Sequence, residues 1–238
     1  MREKDPYNPS PEKRFAISKD EYSRDRIKII QEIYEEITKE FPFKVGFSLY
    51  GSLSKGKILD AENFLDADID LVVYVDADDV AQNFESFRSK HELVAEADPN
   101  DPEQNRTAIR ELIRTYIKNR LNALPSNGEL SKNIWMYDIS TEEIYKVLEN
   151  ISGDSDMHDS FELRKLVRMF HLDVGGGMKK YRVALLQYLK DRPLEYREKI
   201  WSKISSSLRL KERYNDIPSK ISPQYPETFD EAYKYYVN

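Results

Sequence analysis

The segment Asp68-Ile69-Asp70-Leu71-Val72-Val73-Tyr74-Val75 constrains this chain more than any other. From Leu71 to Val75 an unbroken apolar run, rich in β-branched residues, has the pattern of a mostly buried strand. The entrance to that strand carries two acids. On a strand, residues i and i+2 point to the same face, so Asp68 and Asp70 converge while Ile69 enters the core. Two carboxylates so close repel one another. Burying them raises a pKa or costs several kcal/mol unless a cation lies between them. Mg²⁺ suits hard oxygen ligands of this kind and also bridges triphosphate oxygens.

The segment lies within a mixed helix and strand pattern. Residues 1–14, with Pro6, Pro9 and Pro11, read as a polar N-terminal arm. A helix is predicted from Ser18, which has Glu21 at capping-box spacing, through the apolar stripe Ile27, Ile30, Ile33, Tyr34, Ile37 and Phe41. Val45, Phe47 and Leu49 alternate as a strand that stops at Gly51-Ser52. After the acidic strand, helices are predicted over 80–97 and from Pro102 to the breakers Pro125 and Gly128, and a third strand over Asn133–Ile139. From Asp156 onward only helices are predicted: 161–172, 178–190, 194–210 and a short last one ending at Tyr235-Tyr236. The expected organisation is thus α+β: a mixed sheet flanked by helices over 15–152, followed by an all-helical C-terminal domain over 153–238.

Composition narrows the function classes. With 39% hydrophobic and 12% aromatic residues, the chain has too much apolar material to be a disordered polymer. It contains no cysteine, which excludes disulfides, thiolate nucleophiles and sulfur-bound zinc. His91, His158 and His171 are too scattered to form a ligand cluster. No apolar run is long enough to span a membrane and the first residues contain no apolar signal region, so the expected location is the cytoplasm. The net charge of −6 argues against broad, unspecific nucleic-acid binding, which needs a positive footprint.

Two further features complete a candidate site. Leu49-Tyr50-Gly51-Ser52-Leu53-Ser54-Lys55-Gly56 reads as a strand ending in a Gly-Ser turn that opens a helix. Glycine lets backbone approach a ligand, free amides at a helix start favour an anion, and the Ser52 hydroxyl can donate to a phosphate oxygen. Asp138 shares a strand side with Ile134 and Met136, an acid on an otherwise apolar face. If its strand lies beside the Asp68/Asp70 strand, its carboxylate is expected at the same metals, where it would help take a proton from an attacking hydroxyl.

Together, Gly51-Ser52, Asp68-Ile69-Asp70-Leu71 and a later strand acid at Asp138 resemble the nucleotidyltransferase superfamily of polymerase β, poly(A) and CCA-adding polymerases and antibiotic nucleotidyltransferases. Lys55-Gly56 matches that family's basic-Gly continuation. The resemblance covers Val45 to Val75 plus Asp138. It implies a polymerase β-like domain in which Gly51, Ser52 and Lys55 hold triphosphate and Asp68, Asp70 and Asp138 hold two Mg²⁺ ions, with Mn²⁺ as a substitute. The implied partners are an NTP and a hydroxyl acceptor on RNA, a nucleotide, a small molecule or a protein. The 53–67 stretch is longer than the family's usual gap, and Lys57 stands where cyclic-nucleotide and CCA-adding branches carry threonine.

Competing readings are weaker. A calcium loop built on Asp66, Asp68 and Asp70 would need glycine at 71 and an acid at 77, where Leu71 and Ala77 stand. Arg106, Arg110, Arg114 and Lys118 recur at spacing four, the pattern of a solvated helix face or, less simply, of an RNA contact. Lys179 and Lys180, after Gly175-Gly176-Gly177 at a helix start, are candidates for a triphosphate contact from the helical part. The alternative function is a non-catalytic nucleotide-binding or regulatory module that keeps the same fold.

Overall fold

The computed structural model describes residues 21–51, 69–123, 132–151, 161–213 and 226–237. In chain order these form α1 (Glu21–Glu40), β1 (Val45–Tyr50), β2 (Ile69–Asp76), α2 (Ala77–Arg88), a 3₁₀ turn (Glu92–Val94), α3 (Pro102–Asn122) and β3 (Lys132–Ile139). There follow α4 (Thr141–Ile151), α5 (Phe161–Arg168), β4 (Leu172–Val174), α6 (Lys179–Lys190), α7 (Leu194–Arg213) and α8 (Phe229–Tyr236). Ser18, Pro125 and Gly128 lie outside the described residues.

Local chemistry explains most boundaries. Asp101 caps α3 by accepting from the amides of Glu103 and Gln104, and Pro102 occupies the first turn, where no amide partner is needed. Asp76 caps α2 in the same way, through the amides of Asp78 and Asp79. Thr228 and Glu231 form a reciprocal capping box that starts α8. The predicted 80–97 helix instead ends at Arg88, whose guanidinium donates to the carbonyl of Ala95 and folds the chain back through the 3₁₀ turn.

The four strands form one mixed sheet in the order β3-β2-β1-β4. β1 runs antiparallel to both β2 and β4, and β2 runs parallel to β3. Helices cover both faces. Ile30, Ile37, Ile109, Ile113 and Ile117 of α1 and α3 pack against Phe47, Leu49, Leu71 and Val73 on one face. On the other, Val72, Tyr74 and Tyr137 meet Leu148, Phe170, Tyr181, Leu185 and Trp201 from the later helices. This double covering explains why every residue of β1 is buried although its sequence alternates. Among the described residues, no helix is long and apolar enough to cross a membrane.

The region expected to be all-helical supplies β4. Only Leu172-Asp173-Val174 are involved, paired to Phe47, Ser48 and Leu49, and three residues are too few for a periodicity to show. The two expected halves therefore share a single sheet.

At the exit of β2, Asp76 is fully buried. Burial opposes its ionisation. Hydrogen bonds from the Tyr181 hydroxyl (2.5 Å), the Asp79 amide and the Lys180 ammonium (3.0 Å) outweigh that cost and hold the carboxyl below its usual range. A depressed folded-state pKa contributes stability that is present above the unfolded value, near 4, and disappears as pH falls through the folded value. Asp76→Ala is expected to lower unfolding free energy by about 2–4 kcal/mol, because it leaves the Tyr181 hydroxyl without its acceptor and removes the cap of α2. Urea denaturation at pH 7 and pH 3 checks this, and the variant should lose part of the parent's acid sensitivity.

Candidate active site

The end of β1 and the starts of β2 and β3 place three side chains side by side. Asp70 is paired with Tyr50 on β1 and with Asn133 on β3, and residues paired across neighbouring strands share a face. The Asn133 amide donates to Asp70 Oδ1 at 3.1 Å. Gly51 follows Tyr50 with φ +79°, a left-handed conformation that favours glycine. A Cβ built on Gly51 would fall on Asp70 Oδ2. The glycine therefore lets the turn lie directly on the carboxylate. Ser52, Lys55 and Asp68 lie outside the described residues.

The expected convergence of Asp138 with Asp70 does not occur. β3 does lie beside β2, but the parallel register sets Asp138 against Val75. That position is five residues along β2 from Asp70 and on the opposite face, about 17 Å away at ~3.3 Å per residue. There Asp138 pairs with Arg110 and lies 3.8 Å from Arg106. Burial pushes its carboxyl above the usual range, and the two arginines only partly offset this. The basic face of α3 is thus largely paired within the protein: Arg106 with Glu103 at 2.7 Å, Arg110 with Asp138, and Arg114 with Glu111 at 2.5 Å.

Lys179 and Lys180 do not reach this corner either. The turn before α6 packs against the start of β1: a Cβ on Gly177 would collide with the Val45 carbonyl and one on Gly46 with Met178. The Lys180 ammonium ends on Asp76, about 20 Å along β2 from Asp70. The glycine run serves a tight turn at the far end of the sheet, beside the Tyr34 ring.

What the fold brings to Asp70 instead is a set of aromatic residues around one arginine. Trp135 is paired with Val72, so it lies on the same face as Asp70, and 46% of its surface is exposed. The Arg168 guanidinium lies 4.9 Å from the Trp135 ring centre and 5.2 Å from that of Tyr50, and donates to the Tyr137 hydroxyl at 2.8 Å. Arg168 is held there by its helix. The Ser48 hydroxyl donates to the Arg168 carbonyl (2.5 Å) and the Tyr74 hydroxyl to the Lys165 carbonyl (2.7 Å), satisfying last-turn carbonyls of α5 from the sheet. Burial raises the Tyr50 hydroxyl pKa; Arg168 opposes this and Asp70 adds to it, so Tyr50 senses both charges. Among the described residues no carboxylate pairs with Arg168.

Sequence reading missed Asn133, Trp135 and Arg168. Trp135 carried a signal, since it lies on the opposite side of its strand from Asp138. Arg168 carried none, because its position depends on α5 docking onto the sheet. Among the described residues no group of three or more His, Asp or Glu forms a ready-made metal cluster.

Gly51→Ala is expected to cost about 1–3 kcal/mol, from left-handed strain plus the clash with Asp70. In an Asp70→Ala background part of that cost should vanish, leaving the strain alone. A double-mutant cycle read by chemical denaturation measures the coupling; additive losses would show that the two residues do not touch. No family model, curated protein or solved structure matches this chain.

Proposed function

We propose that this chain is a Mg²⁺-dependent nucleotidyltransferase of the polymerase β-like type, which moves a nucleoside monophosphate from an NTP to a hydroxyl acceptor. One observation carries the reading: a positive-φ glycine turn lies directly against the carboxylate of the second acid in the Asp68-Ile69-Asp70 motif.

The residues present fit a hard divalent ion. The Asp70 carboxylate and the Asn133 amide oxygen are hard donors, and the missing Cβ at residue 51 lets the turn backbone lie against Oδ2. Asp70 would hold Mg²⁺ together with Asp68, whose part rests on its i, i+2 spacing. Bound there, the metal would neutralise charge on the triphosphate and lower the pKa of an attacking hydroxyl. The chain's own contribution is positional. The Asn133 amide holds Asp70 Oδ1 and Gly51 brings the turn backbone against the same carboxylate, where the Ser52 hydroxyl would be expected to offer a phosphate its donor.

A non-catalytic nucleotide-binding module is the second reading. The residue beside Asp70 on β3 is Asn133, an amide, and the acid expected to complete the site, Asp138, is bound to Arg110 elsewhere. An amide in that place weakens the means of taking a proton from an acceptor.

The decisive experiment incubates the protein and Mg²⁺ with each labelled NTP against total RNA, a panel of small hydroxyl compounds, and the protein alone. Label transfer that EDTA abolishes is expected. Asp70→Asn should reduce it by on the order of 100-fold or more, since even outer partners of a metal ligand cost 10–100-fold. Asp138→Asn should leave transfer per folded molecule unchanged. Full transfer by Asp70→Asn refutes the assignment. Calorimetric binding of a non-hydrolysable NTP with no transfer to any acceptor favours the module.

A further inference from the structure

We infer that Trp135, braced by Arg168 and Tyr50, is the stacking platform for the nucleobase of the bound nucleotide. The inference rests on the nucleotide reading of the Asp70 corner and says where the base goes. A large ring left 46% exposed on a sheet otherwise covered on both faces loses the free energy that burial would give, and most strand neighbours on its face avoid that. The position matters as much as the exposure. Trp135 lies one strand over and two residues along from Asp70, about 8 Å away by strand spacing and rise. This is roughly the reach from the α-phosphorus to the base ring within one nucleotide, so a phosphate at Asp70 brings its base over the indole.

The surroundings fix the ring and set its charge. Arg168 lies between Trp135 and Tyr50, and its bond to the Tyr137 hydroxyl prevents it from swinging away. With no carboxylate partner among the described residues, the guanidinium leaves a positive charge at the edge of the platform. That charge suits an anionic ligand with a π-face. A polynucleotide is a poorer occupant, because the arginines of α3 that would follow its backbone are spent on Glu103, Asp138 and Glu111. The expected occupant is therefore a mononucleotide, and purines should overlap the indole more than pyrimidines.

The chain offers its own reporter. Of its two tryptophans, Trp201 is fully buried against Phe170, with its indole N–H donating to the Pro226 carbonyl, so an added ligand reaches only Trp135. Full-length protein with Mg²⁺ is titrated with α,β-methylene analogues of the four NTPs and with inorganic tripolyphosphate, following tryptophan emission. The analogues should quench it and tripolyphosphate should not. Trp135→Ala should abolish quenching and weaken calorimetric binding about 5- to 150-fold, the range for loss of one stacked base. Trp135→Phe should retain most of the affinity, which separates stacking from a fold defect. Equal quenching by tripolyphosphate, or unchanged affinity in Trp135→Ala, overturns the inference. Labelled transfer that depends on Asp70 would then still stand. Conversely, base-dependent quenching in a protein without transfer keeps the platform and removes the enzyme.

Discussion

The structure depends on β2 being buried from end to end while carrying acids at both ends. Ile69, Leu71, Val73 and Val75 face one helical layer and Val72 and Tyr74 the other, so the strand is held by β1 on one side and β3 on the other. Such a strand cannot shift by one residue without turning its charged ends into the core. Register is therefore strongly specified, and with it the positions of Asp70 and Asp76. The same constraint orders the neighbours: it brings Tyr50 and Asn133 beside Asp70 and sends Asp138 to the other face.

Three aspartates of similar appearance in the sequence meet three different electrostatic ends. Asp76 is buried but saturated with donors, and ionises more readily than a free carboxylate. Asp138 is partly buried beside two arginines, yet desolvation still dominates and holds its proton more tightly. Asp70 lies at a partly open corner with the Asn133 amide donating to Oδ1 and Gly51 against Oδ2. Ion pairing and capping account for the first two as parts of the scaffold. The third is where the backbone has been cleared of side-chain bulk. That difference in surroundings, rather than the abundance of acids, singles out the corner as the candidate site.

The helices after Ile151 do more than cover the sheet. Through β4 and the hydroxyl-to-carbonyl bonds from Ser48 and Tyr74 they pin α5, and α5 delivers Arg168 to the aromatic residues beside Asp70. A cation set this way comes from the opposite half of the chain to Asp70, and both charges act on Tyr50. The lysines at the start of α6, which a linear reading favours, belong instead to the Asp76 network at the other end of the sheet.

Much of this was legible in the residues themselves. The apolar run after Asp70, the stripes of α1 and α3 and the Gly51 turn all express rules that act within a few positions, so three of the four described strands, most helices and one acid of the candidate site could be read directly. Pairing register, face and long-range docking act across tens of residues and leave no local mark. Asp138 stands on the predicted side of its predicted strand, yet only the parallel offset against β2 decides that it meets Arg110 rather than Asp70. Leu172-Asp173-Val174 becomes a strand only because the free edge of β1 offers partners for its backbone groups. The sequence alone determined which segments bury and where backbone and charge are unusual; the tertiary structure alone decided which of those charges share a corner, because distance between strands is set by hydrogen-bond register and not by order along the chain.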